Sequence, residues 1–237
     1  MIILLIILFA AFVIIGFFYV KGAASWIVGS LSMLLLALSM IALAYHDQTN
    51  WGMKEVTTTS THQIYTAGDK TAPYGLMIKA EIGQNTGNYV LVFRNNANSA
   101  KPDTNFEPNQ NNIVESVKKS ATYQLTDTTT AKVQTTTTRL EFSSNLMKLL
   151  FGIGGEQNTL VKQHSVVSVP QDTWLVLTQS QVETLTKKAP QMQAQMEAEL
   201  KANPAKALQL AELQKSNPKE YAKMQVEQIK QLLGIKD

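Results

Sequence analysis

Charged residues are almost absent from the first 45 positions of this 237-residue chain. Lys21 is the single Lys, Arg, Asp or Glu between Met1 and Tyr45, and the remaining 192 residues carry 38 of the 39 such side chains. Two apolar runs, Ile2 to Val20 and Trp26 to Tyr45, fill this part of the chain. Each run is long enough to cross the hydrocarbon core of a bilayer as a helix. The sequence therefore predicts a membrane anchor followed by a water-soluble body.

The two apolar runs are separated by only five residues, Lys21 to Ser25. Two spans joined this tightly are antiparallel, so residues 1–46 are predicted to form an N-terminal two-helix transmembrane hairpin. Trp26 at one end, and Tyr45 with Trp51 at the other, suit the headgroup layers. A cleaved signal peptide is the lesser alternative: the apolar run starts at residue 2 without a basic segment, although Gly22 to Ser25 is small enough for cleavage.

The side of the membrane follows from the short loop around Lys21. A basic residue in a short loop favours the cytoplasmic side, which places both ends of the hairpin outside the cell. The body is rich in Thr, Asn and Gln and low in charge, as many exported bacterial β domains are. We therefore expect a cell-membrane protein with two transmembrane helices and an extracellular C-terminal part.

Residues 47–178 are predicted to form an extracytoplasmic antiparallel β domain. Apolar and polar residues alternate from Leu76 to Ile82, turn residues follow from Gly83 to Asn88, and Tyr89 to Phe93 is a second apolar strand, which together predict a hairpin. Asn95 to Asn112 is predicted to be a long exposed loop, and Asn145 to Phe151 a short helix. The other predicted strands are Glu55–Tyr65, Ala121–Thr126, Thr135–Phe142, Leu160–Val169 and Thr173–Leu177, and the seven together suggest a β-sandwich-like fold.

Residues 179–237 are predicted to form an amphipathic helical tail. Ser180 and Glu183 have the spacing of a capping box, and Pro190 is expected to split or kink the first helix. Asn203 and Asn217 each precede a proline and are predicted N-caps, and Gly234 ends the last helix. These helices either cover the β domain and each other, which is the favoured interpretation, or form a docking surface for a partner.

The composition excludes several classes of chemistry. The chain has no Cys, so disulfides, thiol nucleophiles and thiolate metal sites are ruled out. The net charge is only +3, and Arg94 and Arg139 are the only arginines, so nucleic acid is not an expected partner. No G-x-S-x-G or H-E-x-x-H motif is present.

The remaining candidates for chemistry are isolated residues. His46, His62 and His164 stand apart from other ligands, and the glycines of residues 152–155 lack the Lys-Ser/Thr of a phosphate-binding loop. Asp103 to Glu107 begins like a calcium loop, but Pro108 occupies the position that an EF-hand needs as Gly. We therefore assign no catalytic, cofactor-binding or metal residue and expect no cofactor.

The combination of a two-span hairpin at Met1, a Thr-rich β domain from Trp51 and a Gln/Lys/Ala/Met-rich helical tail resembles an uncharacterised family of lactic-acid-bacterial membrane proteins, defined only as a domain of unknown function. The resemblance implies a Gram-positive cell envelope. It also implies neighbouring genes for major-facilitator multidrug efflux transporters, and hence an accessory subunit. It supplies no functional residues.

Two classes of function follow from these expectations. The first is a non-enzymatic membrane-anchored accessory protein, with the lipid bilayer and a larger integral membrane protein such as an efflux transporter as partners. The alternative is a membrane-tethered cell-envelope hydrolase or a small-ligand sensor.

Overall fold

The computed structural model describes residues 1–235 and shows an α+β protein that divides into two compact units. The first unit contains Met1–Thr58 and Thr138–Lys162, and the second contains Thr59–Thr137 and the chain from Gln163 onward. The helices are α1 (Ile2–Phe18), α2 (Ala23–Thr49), α3 (Ile113–Ser116), α4 (Asn145–Phe151), α5 (Gln179–Ala202), α6 (Pro204–Ser216) and α7 (Pro218–Leu233), with a 3₁₀ turn at Gly152–Gly154. The strands are β1 (Met53–Gln63), β2 (Gly75–Glu81), β3 (Tyr89–Phe93), β4 (Asp103–Asn105), β5 (Lys119–Thr126), β6 (Lys132–Phe142), β7 (Leu160–Pro170) and β8 (Trp174–Thr178).

Helices α1 and α2 pack closely through two glycines. A Cβ atom added to Gly16 would lie 2.7 Å from the backbone nitrogen of Gly29, so only glycine permits this approach. The Ser25 hydroxyl donates to the Gly16 carbonyl at 2.9 Å, and the rings of Phe17 and Trp26 meet edge to face. The two helices are thus held together by specific contacts close to the loop that connects them.

One N-terminal helix qualifies as a candidate membrane span among the described residues 1–235. Helix α2 has 27 residues and the apolar composition of a membrane span or a signal sequence, and few of its side chains are buried. Helix α1 is also apolar but has 17 residues, the lower end of the spanning range. The predicted N-terminal apolar segment is therefore confirmed, whereas the crossing of the membrane by both helices stays a prediction.

The strands form two four-stranded sheets, in the order β1-β6-β7-β5 and β4-β3-β2-β8. The predicted hairpin of β2 and β3 is confirmed, with Ile78 opposite Val92. The prediction of a purely antiparallel domain is wrong, because β2 pairs in parallel with β8 and β5 in parallel with β7. Parallel partners are joined by long connections rather than by a tight turn, so no local turn signal marks them.

The second unit has a core to which both sheets contribute. Its buried members are Ile64, Met77, Leu91, Phe93, Ala131, Val133, Val167 and Val169. Strand β2 places Met77 in this core, while its neighbour Leu76 faces the other way, toward the C-terminal helices. The sheet that contains β2 is therefore covered on both faces, which explains why apolar residues occupy successive positions.

Helices α5 and α7 cover the outer face of that sheet. Leu175 and Leu177 of β8 pack with Val226 and Ile229 of α7, all nearly inaccessible to solvent. The favoured interpretation, that the tail covers the β domain, is confirmed for these two helices. Leu208 on α6 is 73% exposed.

The helix boundaries follow the predicted caps in part. Asn203 and Asn217 accept hydrogen bonds from the backbone amides of Lys206 and Glu220, as predicted, and Gly234 ends α7 in the left-handed conformation. The first cap is wrong: Thr178 and Gln181, rather than Ser180 and Glu183, form the capping box. Pro190 lies inside a continuous α5 and does not split it.

The predicted loop Asn95–Asn112 contains a short strand. Asp103–Asn105 pairs with β3, with Thr104 opposite Val92, and so adds an edge strand. Asp103 and Asn105 are residue types that strands disfavour and Thr104 stands alone between them, so the pairing with β3 makes them a strand.

Candidate functional site

The first unit contains a buried imidazole at the end of α2. His46 is 3% exposed, and both of its ring nitrogens have partners. Nδ1 donates to the Trp51 carbonyl at 2.5 Å, and Nε2 lies 2.7 Å from Oε2 of Glu156. Since a carbonyl can only accept, the Nδ1–H donates to it, and Nε2 is left to face the carboxyl group of Glu156.

Aromatic rings enclose this imidazole. The ring of Phe151 stacks on His46 with centroids 4.1 Å apart, and Phe142 lies on a similar plane at 6.1 Å. Trp51 meets Phe151 edge to face. The His46 cluster, by which we mean His46, Trp51, Phe142, Phe151 and Glu156, therefore joins α2 to α4 and to the turn that follows it.

The glycines of residues 152–155 position Glu156 in the His46 cluster. Gly152–Gly154 forms the 3₁₀ turn, and Gly155 takes a positive φ of 75°, which favours glycine. These glycines thus turn the chain toward His46. The amino group of Met1 donates to the Leu150 carbonyl at 3.1 Å, so the start of α1 meets the same segment as the end of α2.

Apolar side chains are exposed on this segment. Leu146, Leu149 and Ile153 are each more than half exposed, and Tyr45 and Trp51 stack in a tilted pair nearby in the same unit. Such a combination of aliphatic and aromatic side chains is typical of the boundary between lipid and water.

The second unit contains a pocket of about 360 Å³ that includes a buried arginine. Arg94 is 7% exposed, and its Nη1 donates to the carbonyls of Thr66 and Gly68, the latter at 2.8 Å. Its Nε is buried and has no hydrogen-bond partner within residues 1–235. The residues that line the Arg94 pocket are Gln63, Ile64, Tyr65, Thr66, Lys70, Tyr74, Gly75, Arg94, Ala97, Thr129, Thr130, Ala131 and Trp174.

Hydrogen bonds within the loop from Thr66 to Leu76 shape one wall of the Arg94 pocket. The Thr66 hydroxyl accepts from the amides of Gly68 and Leu76 at 3.1 and 2.9 Å. Hydrogen bonds from the amide and hydroxyl of Thr71, with a smaller contribution from the charge of Arg94, lower the pKa of the exposed Asp69. The loop therefore holds the carbonyls that orient Arg94 without an external ligand.

Aromatic rings form another wall. A Cβ atom added to Gly75 would lie 2.2 Å from the indole of Trp174, so the indole lies directly on the backbone of Gly75. Burial, together with the charge of Asp69, raises the pKa of Tyr74, which keeps its hydroxyl protonated as a donor. The pocket thus offers cations, hydroxyl donors and flat apolar surfaces.

The other two histidines, His164 and His62, are exposed to solvent. His164 lies on β7, where Nδ1 is 2.8 Å from the Ser120 hydroxyl and Nε2 is 3.5 Å from that of Thr122, and the imidazole is exposed. In a hydrolytic triad the second nitrogen would face a carboxylate, and here it faces a hydroxyl. His62 is exposed on β1.

In the candidate calcium loop, side-chain oxygens of Asp103 and Asn105 both accept from the side-chain amide of Asn95. Asp103 and Asn105 lie in β4, and Asp103 accepts from the amide and side chain of Asn95 at 3.2 Å. Among residues 1–235 the structure brings together no group of three His, Asp or Glu side chains that could hold a metal ion.

Sequence reasoning missed both the pairing of His46 with Glu156 and the Arg94 pocket. His46 and Glu156 are 110 residues apart, so no spacing rule connects them. A usable signal for the pocket was the rarity of arginine: Arg94 is one of two in the chain and directly follows the apolar strand β3.

Among known proteins, the chain was compared with protein families, curated proteins and solved structures, and a family model matches most of the elements described above. No curated protein and no solved structure matches the chain. A family model described as "Domain of unknown function (DUF4811)" matches residues 21–185. The match contains α2, all eight strands, the His46 cluster and the Arg94 pocket, whereas α1, α6 and α7 lie outside it. Because the family model matches well over half of the chain, the chain belongs to the family defined by the domain of unknown function DUF4811.

Proposed function

We propose that this protein is a non-enzymatic accessory protein, anchored in the cell membrane by α1 and α2, whose β domain contacts a larger integral membrane protein outside the cell. The outward-facing apolar surface of α1 and α2 carries the proposal. Its large side chains with more than half of their area exposed are Leu4, Ile7, Ile14 and Phe18 on α1, with Trp26, Ile27, Leu31, Met33, Leu34, Leu38, Met40, Ile41 and Tyr45 on α2. Apolar surface of this extent requires lipid or another protein to cover it.

Two spans fit this surface better than one. Seventeen residues of α1 extend ~25 Å as a helix, which nearly matches the ~30 Å hydrocarbon core. The close contact of Gly16 with Gly29 would keep the two helices together across the bilayer. Met1 and His46 both bond to the segment from Leu150 to Glu156, which supports an antiparallel pair with both outer ends on one side.

The exposed side chains Leu146, Leu149 and Ile153 support the same position of the membrane. They lie on the segment that receives the ends of both helices, where the headgroup layer would begin. In this proposal α4 rests in the interface, and Tyr45 and Trp51 belong to its aromatic belt. Lys21 in the connecting loop favours the cytoplasmic side for that loop and the outside for the body.

The partner proposed is a transporter of the major-facilitator class that exports drugs from a Gram-positive cell. The charge distribution supports an assisting role, since Lys21 is the one charged residue between Met1 and Tyr45 and the apolar runs Ile2–Val20 and Trp26–Tyr45 contain no Lys, Arg, Asp, Glu or His that could carry a substrate or proton. The outward apolar surface is available to pack against other membrane helices.

Copurification tests the proposal. The full chain with a C-terminal affinity tag is expressed in a Gram-positive host, with a photoreactive phenylalanine analogue at Leu34, which faces outward, and is solubilised in mild detergent. We expect one larger integral membrane protein as a stoichiometric, cross-linked companion. The matched control carries the analogue at Phe17, which packs against Trp26, and should give no adduct. Purification with no stoichiometric companion would contradict the proposal.

A small-ligand sensor is the second candidate function, and the Arg94 pocket favours it. A ligand that binds only the folded state raises the melting temperature. Sensing and an accessory role are compatible, because the pocket lies in the second unit and the membrane helices in the first.

A further inference from the structure

We infer that the Arg94 pocket binds a small organic anion, which pairs one carboxylate or phosphate group with a flat apolar body. This inference deepens the ligand-sensing candidate and is independent of the membrane partner.

The charge of the pocket selects an anion. Its lining residues, all within the described range 63–174, include two cations, Arg94 and Lys70, and no carboxylate. The charge of Arg94 contributes to the lowered pKa of Asp69, which lies next to the pocket. The exposed Asp69 carboxylate, however, already accepts two hydrogen bonds from Thr71. The cationic side of the pocket is therefore open to an anion from solution.

The hydrogen bonding of Arg94 also favours an anionic ligand. A guanidinium has five N–H donors, and the two acceptors that hold Nη1 are neutral backbone carbonyls. Nε is buried without an acceptor, although buried donors are normally satisfied. An oxyanion is the group that matches the planar fork of an arginine and strengthens such hydrogen bonds.

The aromatic wall and the volume define the rest of the ligand. Trp174 lies flat against Gly75, and Tyr65 and Tyr74 also line the pocket. A planar apolar body could stack on these rings while Thr129 and Thr130 offer hydroxyl groups. About 360 Å³ is at the small end of the range for small-molecule sites, so the volume fits a small ligand.

Calorimetric titration of the full-length protein in detergent tests the inference. The probes are naphthalene-2-carboxylate, 2-naphthyl phosphate and the neutral naphthalene-2-carboxamide, each measured against protein-free detergent as the blank. We expect at least one of the anions to bind about tenfold more tightly than the carboxamide. The tighter of the two anions identifies the carboxylate or the phosphate as the group recognised.

Four variants locate the binding. Arg94→Gln should weaken the anion by about tenfold and Lys70→Glu by about threefold. Ala97→Trp should obstruct the pocket from its exposed rim. Arg139→Gln is the matched control, because it removes the other arginine, whose Nη1 donates to the Asn158 carbonyl in the first unit, and it should leave the affinity unchanged.

The outcomes distinguish the claim that the Arg94 pocket binds a ligand from the claim that this ligand is an anion. Equal affinity for the carboxamide would overturn the anion class while leaving a ligand pocket. No binding by any probe would overturn the inference and leave the accessory-protein proposal standing, because the pocket lies in the second unit and the membrane helices in the first. An equal loss in Arg94→Gln and Arg139→Gln would also overturn it. Should Arg94→Gln fail to fold, the exposed Lys70→Glu decides, and an unchanged affinity there would contradict the inference.

Discussion

Removing the imidazole of His46 should destabilise the first unit more than any surface histidine does. His46→Ala deletes the hydrogen bond to the Trp51 carbonyl, the bond to Glu156 and the stack on Phe151. A hydrogen bond contributes about 1 kcal/mol net and an aromatic stack about 0.5–1.5 kcal/mol. The Glu156 side chain is 34% exposed, so its charge adds little beyond a neutral bond. We therefore expect a loss of about 3 kcal/mol in the free energy of unfolding.

Heat denaturation of the full-length protein in detergent, followed by circular dichroism and tryptophan fluorescence, measures this loss. For a chain of this size about 3 kcal/mol corresponds to a fall of about 6–12 °C in Tm. Glu156→Gln keeps the shape and can donate to Nε2 of a neutral imidazole, so it should lower Tm by no more than half as much. The control His62→Ala changes an exposed residue of β1 and should have almost no effect. Equal effects of His46→Ala and His62→Ala would refute the reasoning.

Three further predictions concern other parts of the chain. Gly16→Val should lower Tm in detergent by forcing α1 away from α2, at a cost of about 1–3 kcal/mol, whereas Ile14→Val on the outward face should not. Ile229→Ala should cost about 2–4 kcal/mol because the side chain is buried between α7 and β8, and Leu208→Ala on α6 less than about 0.5 kcal/mol, both from thermal unfolding. The lowered pKa of Asp69 means that its ionised form stabilises the folded state above the unfolded pKa of about 4, and that this contribution is lost as pH falls through the folded pKa. The difference in Tm between the wild-type chain and Asp69→Asn should accordingly shrink below about pH 4, and a difference that grows there would contradict the assignment.

Local signals in the sequence were sufficient for the elements but not for their partners. Turn residues between Gly83 and Asn88 and the caps Asn203 and Asn217 act on neighbouring residues, and all three predictions are confirmed. The parallel pairs of β2 with β8 and of β5 with β7 depend on contacts between distant residues. No turn or spacing rule predicts such pairs from one sequence.

The alternation of apolar and polar residues in β2 predicted the strand but not the burial of both of its faces. From Leu76 to Ile82 it predicted a strand correctly, but a half-buried strand would bury one face only. Met77 lies in the core shared by the sheets, and Leu76 packs under the C-terminal helices. The second covered face depends on where α5 and α7 pack, which the strand itself does not encode.

The candidate sites are the least predictable features for the same reason. The His46 cluster needs Glu156, which the glycine turn at residues 152–155 delivers from a distant part of the chain. The Arg94 pocket needs a loop, two strands and Trp174 to converge. A single arginine after an apolar strand indicates a buried charge only once the surrounding carbonyls are known.

The central claim is that α1 and α2 both cross the membrane and place the body outside, and single-cysteine labelling tests it most directly. The chain has no native Cys, so Ala100→Cys, in an exposed loop of the body, and Ala24→Cys, in the first turn of α2 beside the loop that connects the two helices, give unambiguous reporters. In intact cells, an impermeant maleimide should label Ala100→Cys before lysis and Ala24→Cys only after permeabilisation. Labelling of Ala100→Cys only after permeabilisation, or of both positions before lysis, would contradict the account.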